Sequence, residues 1–189
     1  MYITSAKFMR GILGSNKILD DNKPQIAFIG RSNSGKSSLM NSLTGVKDLA
    51  IASKTPGRTK EINVFLINGT HYFMDLPGYG FAKTGAKTLE KLSTLVFWYI
   101  FDSAYNPKIV LLIDAEIGPT KDDLAVLAEL EKAGKDIVIV LNKVDKIKKS
   151  HYQKQLAALA KTFAGHKLFP YSSKTKVGVP ELQTELLQN

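Results

Sequence analysis

Four short groups of residues in this chain have the types and spacing needed to hold a nucleotide. The first is Gly30-Arg31-Ser32-Asn33-Ser34-Gly35-Lys36-Ser37, followed by Ser38. A glycine-rich turn between a strand and a helix lets successive N–H groups curl around a phosphate oxygen, and the helix N-terminus adds partial positive charge there. A lysine at position 36 reaches the β- and γ-phosphates, and the Ser37 hydroxyl can ligate Mg²⁺. A Gly/Ser-rich turn can match this pattern by chance. What favours phosphate is the context, an apolar strand (Gln25-Ile26-Ala27-Phe28-Ile29) before it and helical apolar spacing (Leu39, Met40, Leu43) after it.

The second group is Asp75-Leu76-Pro77-Gly78. Asp75 ends an apolar strand, where a carboxylate can hold Mg²⁺ through its water shell. Gly78 lets a backbone N–H approach a γ-phosphate with no side chain intervening. Alone, the same four residues are simply a turn. The third group, Asn142-Lys143-Val144-Asp145, also follows an apolar strand. A carboxylate such as Asp145 accepts from both N1–H and the N2 amino group of guanine, a donor pair adenine lacks, so it selects GTP over ATP. Asn142 would brace the loops, and the Lys143 stem would cover the base. The fourth, Tyr171-Ser172-Ser173, can offer backbone N–H groups to the guanine O6; a surface turn explains it nearly as well.

The elements that must position these groups alternate. Strands are expected at 25–29, 62–67, 71–75, 109–114, 137–142 and 168–171, six in all. Helices are expected after the phosphate loop and over about 84–101, 120–133, 152–163 and 180–187. Asn68-Gly69 between two apolar runs is a hairpin turn signal. The expectation is a three-layer α/β fold, with a mostly parallel six-stranded sheet, one antiparallel edge strand and helices on both faces. Residues 1–23 read as an N-terminal extension packed on a single domain spanning 24–189. Residues 45–60 form a long polar loop ending in Thr55-Pro56-Gly57-Arg58-Thr59-Lys60, and long loops in compact domains usually carry function or move.

At 189 residues and 44% hydrophobic, the chain is one domain with room for a substantial core. It has no cysteine, which excludes disulfides and thiolate metal sites and agrees with a cytoplasmic setting. The longest apolar run, residues 95–101, is too short to span a bilayer. The net charge of +9 favours an anionic partner larger than a nucleotide, RNA before others, although a solubilising surface would show the same excess.

The motifs together resemble the bacterial EngB (YihA/YsxC) family of Ras-like GTPases. The carrying residues are 30–38, Lys54-Thr55-Pro56-Gly57-Arg58-Thr59, Asp75-Leu76-Pro77-Gly78-Tyr79-Gly80, Asn142-Lys143-Val144-Asp145 and Ser172-Ser173, so the resemblance covers nearly the whole chain. It implies a P-loop GTPase fold, GTP and GDP binding with Mg²⁺, assistance to large ribosomal subunit assembly, and a role in cell division and septation. It extends the nucleotide contacts to Gly57, Arg58, Thr59, Lys60, Glu61, Leu76 and Pro77, gives the catalytic roles to Lys36, Thr59 and Gly78, and suggests a monomer. The Mg²⁺ ligand of the first switch is Thr55 by general small-GTPase spacing and Thr59 by the family motif. Thr59 is the choice here, because Pro56 stiffens Thr55 in an extended conformation while Gly57 lets the loop turn afterwards.

The residue after the second-switch glycine is Tyr79, where many Ras-like enzymes carry a water-orienting glutamine. Positioning is most of the catalysis in phosphoryl transfer, so slow intrinsic hydrolysis is expected, helped by a partner or an ion. Asn33 resembles the asparagine of potassium-activated relatives; a loop-bracing hydrogen bond is an equal reading. Lys83, Lys87 and Lys91 recur at i, i+4, i+8 and can form an RNA-facing stripe, or a solvated face. Two other functions compete with a GTP-dependent switch. A metabolic kinase or transferase would need a substrate lid and a catalytic acid or base, for which no stretch offers itself. A passive RNA-binding protein with a vestigial nucleotide site is opposed by the intact Lys36, Ser37 and Asp75.

Asp145→Asn should weaken GTP binding by a few kcal/mol, since a donor then faces the N1–H and N2 donors. Affinity for xanthosine nucleotides, whose C2 carbonyl accepts from the new amide, should rise. Unchanged GTP affinity in a titration would remove Asp145 from the base site.

Overall fold

The computed structural model describes residues 2–50, 61–80 and 92–188. Its centre is made by the three most continuously apolar strands, β2 (Gln25–Gly30), β5 (Lys108–Asp114) and β6 (Ile137–Asn142), which pair in parallel. A strand apolar at every position cannot turn either face to water, so it belongs in the middle of a sheet covered on both sides. Side chains divide between the faces with period two. Ala27, Ile29, Ile109, Leu111, Ile113 and Ile139 pack against α2 (Thr94–Phe97), α3 (Lys121–Lys132) and α4 (Tyr152–Thr162). Ile26, Phe28, Val110, Leu112, Val138 and Val140 pack against α1 (Lys36–Thr44) and α5 (Val179–Leu186). The architecture is the expected three-layer α/β fold.

The strand count differs from the six expected. With β1 (Ala6–Ile12), β3 (Ile62–Ile67), β4 (His71–Asp75) and β7 (Lys167–Pro170), the sheet has seven strands in the order β1-β3-β4-β2-β5-β6-β7. The reversed strand is β3, antiparallel to both neighbours, and it is covered by β1 rather than lying at the edge. The extension therefore supplies a strand. Its pattern concealed this, because β1 has a register shift between Phe8 and Arg10 and leaves Lys7, Phe8 and Arg10 exposed.

The Asn68-Gly69 turn also does more than its signal implies. Both residues have positive φ, 51° and 71°, as a tight hairpin requires. In addition the Asn68 carboxamide oxygen accepts from Thr4 N (2.8 Å), Ser5 N (3.0 Å) and Thr4 Oγ1 (3.1 Å), and its Nδ2 donates to the Tyr2 carbonyl (2.8 Å). One turn residue thus ties the start of the chain to the sheet.

The helices fall within a residue or two of expectation where they are described. Residues 84–91 of the expected second helix lie outside the described residues; its remainder is α2, capped by Ser93 and continued by a π turn at Trp98–Asp102. Helix α3 opens with a capping box, Thr120 with Asp123.

Asn68→Gly keeps the turn conformation and removes the four side-chain bonds. Amide exchange at Thr4 and Ser5 should accelerate while the β3–β4 ladder keeps its protection. The global loss should be about 1–2 kcal/mol by urea unfolding. Unchanged exchange at both amides would show that the carboxamide does not hold the segment.

Candidate functional site

The four sequence groups meet at the carboxyl ends of the parallel strands, where open α/β sheets bind ligands. The loop leaving β2 at Gly30 runs to the first turn of α1 and is fastened from two sides. On one side it pairs with the segment after β4. Ser32 N donates to the Tyr79 carbonyl (3.0 Å), and Tyr79 N donates to the Gly30 carbonyl (3.3 Å). Gly78 suits this crossing, because a Cβ there would come within 3.1 Å of Ser32 Oγ and 3.2 Å of the Gly30 carbonyl, forcing its neighbours to give way by a few tenths of an ångström. On the other side the loop is held by residues 142 and 143. Asn142 Nδ2 donates to the Ser34 carbonyl (2.9 Å), and Lys143 Nζ donates to the Asn33 carbonyl (2.8 Å). Gly35 has φ 95°, and a Cβ on it would collide with the Asn142 carboxamide. The backbone conformation and the close approach both call for glycine.

Lys36 forms an ion pair with Asp75, both side chains largely buried at 12% and 7% exposure. Arg31, Ser32 and Ser37 are half-buried, Asn33 and Ser38 are exposed, and Ser34 is buried. Leu76 and Pro77 are buried beneath the loop, with Leu76 N donating to the Phe28 carbonyl (3.2 Å). Ser34 Oγ and Asn142 Oδ1 are buried without a hydrogen-bond partner among the described residues. Gly57, Arg58, Thr59 and Lys60, and the lysine stripe Lys83, Lys87 and Lys91, lie outside the described residues. Glu61 is described and is not brought to the loop. Its carboxylate lies against Gly11 of β1, separated from β2 by β3 and β4.

The base-side loop is built from contacts that the local sequence does not reveal. Lys143 has a left-handed backbone (φ 66°), and its ammonium also pairs with Asp114 Oδ2 at 2.5 Å. Ser172 Oγ donates to Asp145 Oδ1 at 2.6 Å, so the serine orients the carboxylate through its side chain rather than only offering main-chain groups. Ser172 Oγ also accepts from Thr175 N (3.0 Å), and Val144 N donates to the Tyr171 carbonyl (3.2 Å). Asp145 itself is exposed to solvent.

Tyr79 points away from the loop. Its side chain is 1% exposed, and its hydroxyl donates to Asp123 Oδ1 at 2.6 Å. The other Asp123 oxygen accepts from Thr120 N (2.7 Å) and Thr120 Oγ1 (2.8 Å). Burial, reinforced by the Asp123 carboxylate, pushes the phenol pKa far up, so the hydroxyl remains a donor at any physiological pH.

A family profile described as 50S ribosome-binding GTPase matches residues 25–143. The chain is 39% identical to the probable GTP-binding protein EngB of Acholeplasma laidlawii over the full length of both. It is also 39% identical to that of Clostridium perfringens (strain 13 / Type A), covering 96% of this chain and 94% of that one. The chain belongs to the EngB family of GTPases.

A solved structure of a probable EngB GTP-binding protein is similar with TM-score 0.67 and 28% identity, covering 86% of this chain and 96% of that one. The fold is also that of Era, solved with MgGDPNP and nucleotides 1506–1542 of 16S ribosomal RNA, at TM-score 0.64 and 23% identity over 87% of this chain and 55% of that one. Three contacts at this site escaped sequence reading. They are Asp114 under Lys143, Ser172 on Asp145, and Asp123 under Tyr79. For the first the signal was an acidic residue closing an apolar strand; for the third it was the capping spacing Thr120 to Asp123.

Tyr79→Phe would leave a buried carboxylate oxygen without its donor. Its unfolding free energy in urea should fall by about 1–3 kcal/mol. A loss below roughly 0.5 kcal/mol would mean that the phenol gains nothing net from Asp123.

Proposed function

We propose that this chain is a guanine-nucleotide switch with slow intrinsic GTP hydrolysis that acts in assembly of the large ribosomal subunit, and that division and septation depend on it. The observation that carries the nucleotide reading is the convergence of the phosphate loop, the Lys36–Asp75 pair and the Ser172-oriented Asp145 at one end of the sheet. The ribosomal reading is supported by the description of the matching family profile and by the net charge of +9.

In this reading the N–H groups of residues 33–38 cradle the phosphates, Lys36 turns from Asp75 to the β- and γ-phosphates, and the Gly78 N–H meets the γ-phosphate. Asp145 accepts from guanine, Asn142 and Lys143 hold the base loop to the phosphate loop, and Tyr171, Ser172 and Ser173 close over O6. Ser37, Thr59 and, through water, Asp75 would hold Mg²⁺. The described part of this donor set is a hydroxyl and a carboxylate. No cluster of three His, Cys, Asp or Glu side chains occurs among the described residues, and this suits an ion that completes its shell with water and phosphate oxygens. When bound, Mg²⁺ draws charge from the phosphate oxygens. Hydrolysis is slow because the Tyr79 side chain is committed to Asp123 and presents nothing to an attacking water. A K⁺ ion at Asn33 would supply charge there, and a rate that rises in K⁺ but not Na⁺ would reveal it. No helix among the described residues is long and apolar enough to cross a membrane. The working form is a cytoplasmic monomer.

Sedimentation with large ribosomal subunits should depend on the nucleotide, stronger with a GTP analogue than with GDP. Equal sedimentation in both states would remove the switch. Lys36→Ala should abolish tight nucleotide binding with the fold intact. Thr59→Ala should spare GDP affinity and impair only the GTP state, and finding that phenotype in Thr55→Ala instead would reassign the ligand.

A further inference from the structure

The positive charge of this chain is concentrated. Residues 143–176 contain nine lysines and one carboxylate, Asp145, which accounts for eight of the nine net charges. Five of the nine lysines, Lys146, Lys148, Lys149, Lys154 and Lys161, lie on or just before α4, whereas Lys143 pairs with Asp114, Lys167 with Glu185, and Lys176 reaches Ser42. Helix α4 buries Leu159, with Tyr152 and Leu156 packed on the same core. Its opposite crest carries Lys154 and Lys161, seven residues apart on one face and roughly 10 Å along the axis. Between them lie Ala157 and Ala158, both exposed and too short to keep a partner away. Lys146, Lys148 and Lys149, all exposed, immediately precede the helix in the chain.

A merely solvated helix normally interleaves acids with its lysines at i, i+4. Helix α4 has none, whereas α3 carries four carboxylates against two lysines and α5 carries Glu181 and Glu185 with no basic residue. Among the described residues Lys148, Lys149, Lys154 and Lys161 have no carboxylate partner, and Lys146 reaches Glu116 only at 3.9 Å. The crest also lacks the two features that would suit other anionic partners. It has no large apolar side chain to anchor in a lipid headgroup layer. No Phe, Tyr or Trp is exposed on it for an unpaired base to stack on, the exposed His151 at its start being the single ring beside these lysines among the described residues.

We infer that the surface formed by Lys146, Lys148, Lys149, Lys154 and Lys161 docks on the phosphate backbone of duplex RNA, reading charge and shape rather than base sequence. It rests on the ribosomal reading for its biological setting, and it lies on described residues apart from the Lys83, Lys87 and Lys91 stripe. Because it directly follows the base loop at Asp145, RNA seated there lies beside the nucleotide.

The test compares the full-length chain with a variant carrying Lys148→Gln, Lys149→Gln, Lys154→Gln and Lys161→Gln. A control removes the same charge elsewhere through Lys7→Gln, Lys17→Gln, Lys121→Gln and Lys132→Gln. The probe is an RNA duplex of arbitrary sequence titrated over a salt series, with GDP affinity as the check on folding. The α4 variant should bind duplex roughly a hundredfold more weakly at low salt, with a log–log salt slope shallower by roughly 3, while the control stays within a few-fold of wild type. Equal losses in variant and control, wild-type binding by the variant, or no duplex binding by the wild type would each overturn the assignment. So would a loss confined to phosphatidylserine vesicles. A parallel arm with large ribosomal subunits separates the two readings. Duplex binding lost in the α4 variant, with no subunit binding by wild type, keeps the surface and removes the ribosome. Subunit binding by wild type and variant alike, with duplex binding unchanged, does the reverse.

Discussion

The nucleotide end of this molecule depends on one constraint. Six residues of main chain, 30–35, must hold their N–H groups in a curl although all but Gly30 lie outside the strand and the helix they join. A free loop of that length would lose roughly 1–2 kcal/mol per residue in ordering. Here the order comes from outside the loop. Two main-chain bonds from Tyr79 fix one shoulder, and the Asn142 and Lys143 side chains fix the other through the Ser34 and Asn33 carbonyls. Glycine at 35 and 78 lets those fasteners come close enough.

Because the fasteners belong to other motifs, the motifs are mechanically joined. Residues 142 and 143, which hold the loop, are contiguous with Asp145. The Tyr79 backbone that holds the loop is contiguous with Gly78. A change at the γ-phosphate or at the base therefore acts on the same short segment. The Tyr79 side chain carries the connection further, into the N-terminal cap of α3 through Asp123 and Thr120. A glutamine at that position would serve water; the tyrosine serves the core.

Much of this was legible in the sequence, because the signals were local. The continuous apolar runs at 109–113 and 137–141 required a covered parallel sheet, and the glycine, lysine, aspartate and asparagine spacings required a nucleotide end. Asn68-Gly69 required a hairpin. What was not legible has physical reasons. Strand β1 alternates poorly, because a register shift and an exposed outer side break its pattern, so the seventh strand was missed. The bonds from Ser172 to Asp145, Tyr79 to Asp123 and Lys143 to Asp114 join residues 27, 44 and 29 positions apart. No periodicity encodes such pairs, since they exist only once the sheet order brings the strand ends together. The charge on α4 was visible as composition, but only the burial of Leu159 shows which of its residues face outward.

The central claim is that one preformed loop reads both phosphate and base because it is fastened to the motifs for each. Amide hydrogen exchange of residues 30–38, measured with GDP and with ADP at equal concentration, tests it most directly. The account predicts strong added protection of these amides with GDP, together with slower exchange at 142–145, and little change with ADP. Equal protection by both nucleotides, or protection of 30–38 with no response at 142–145, would contradict it.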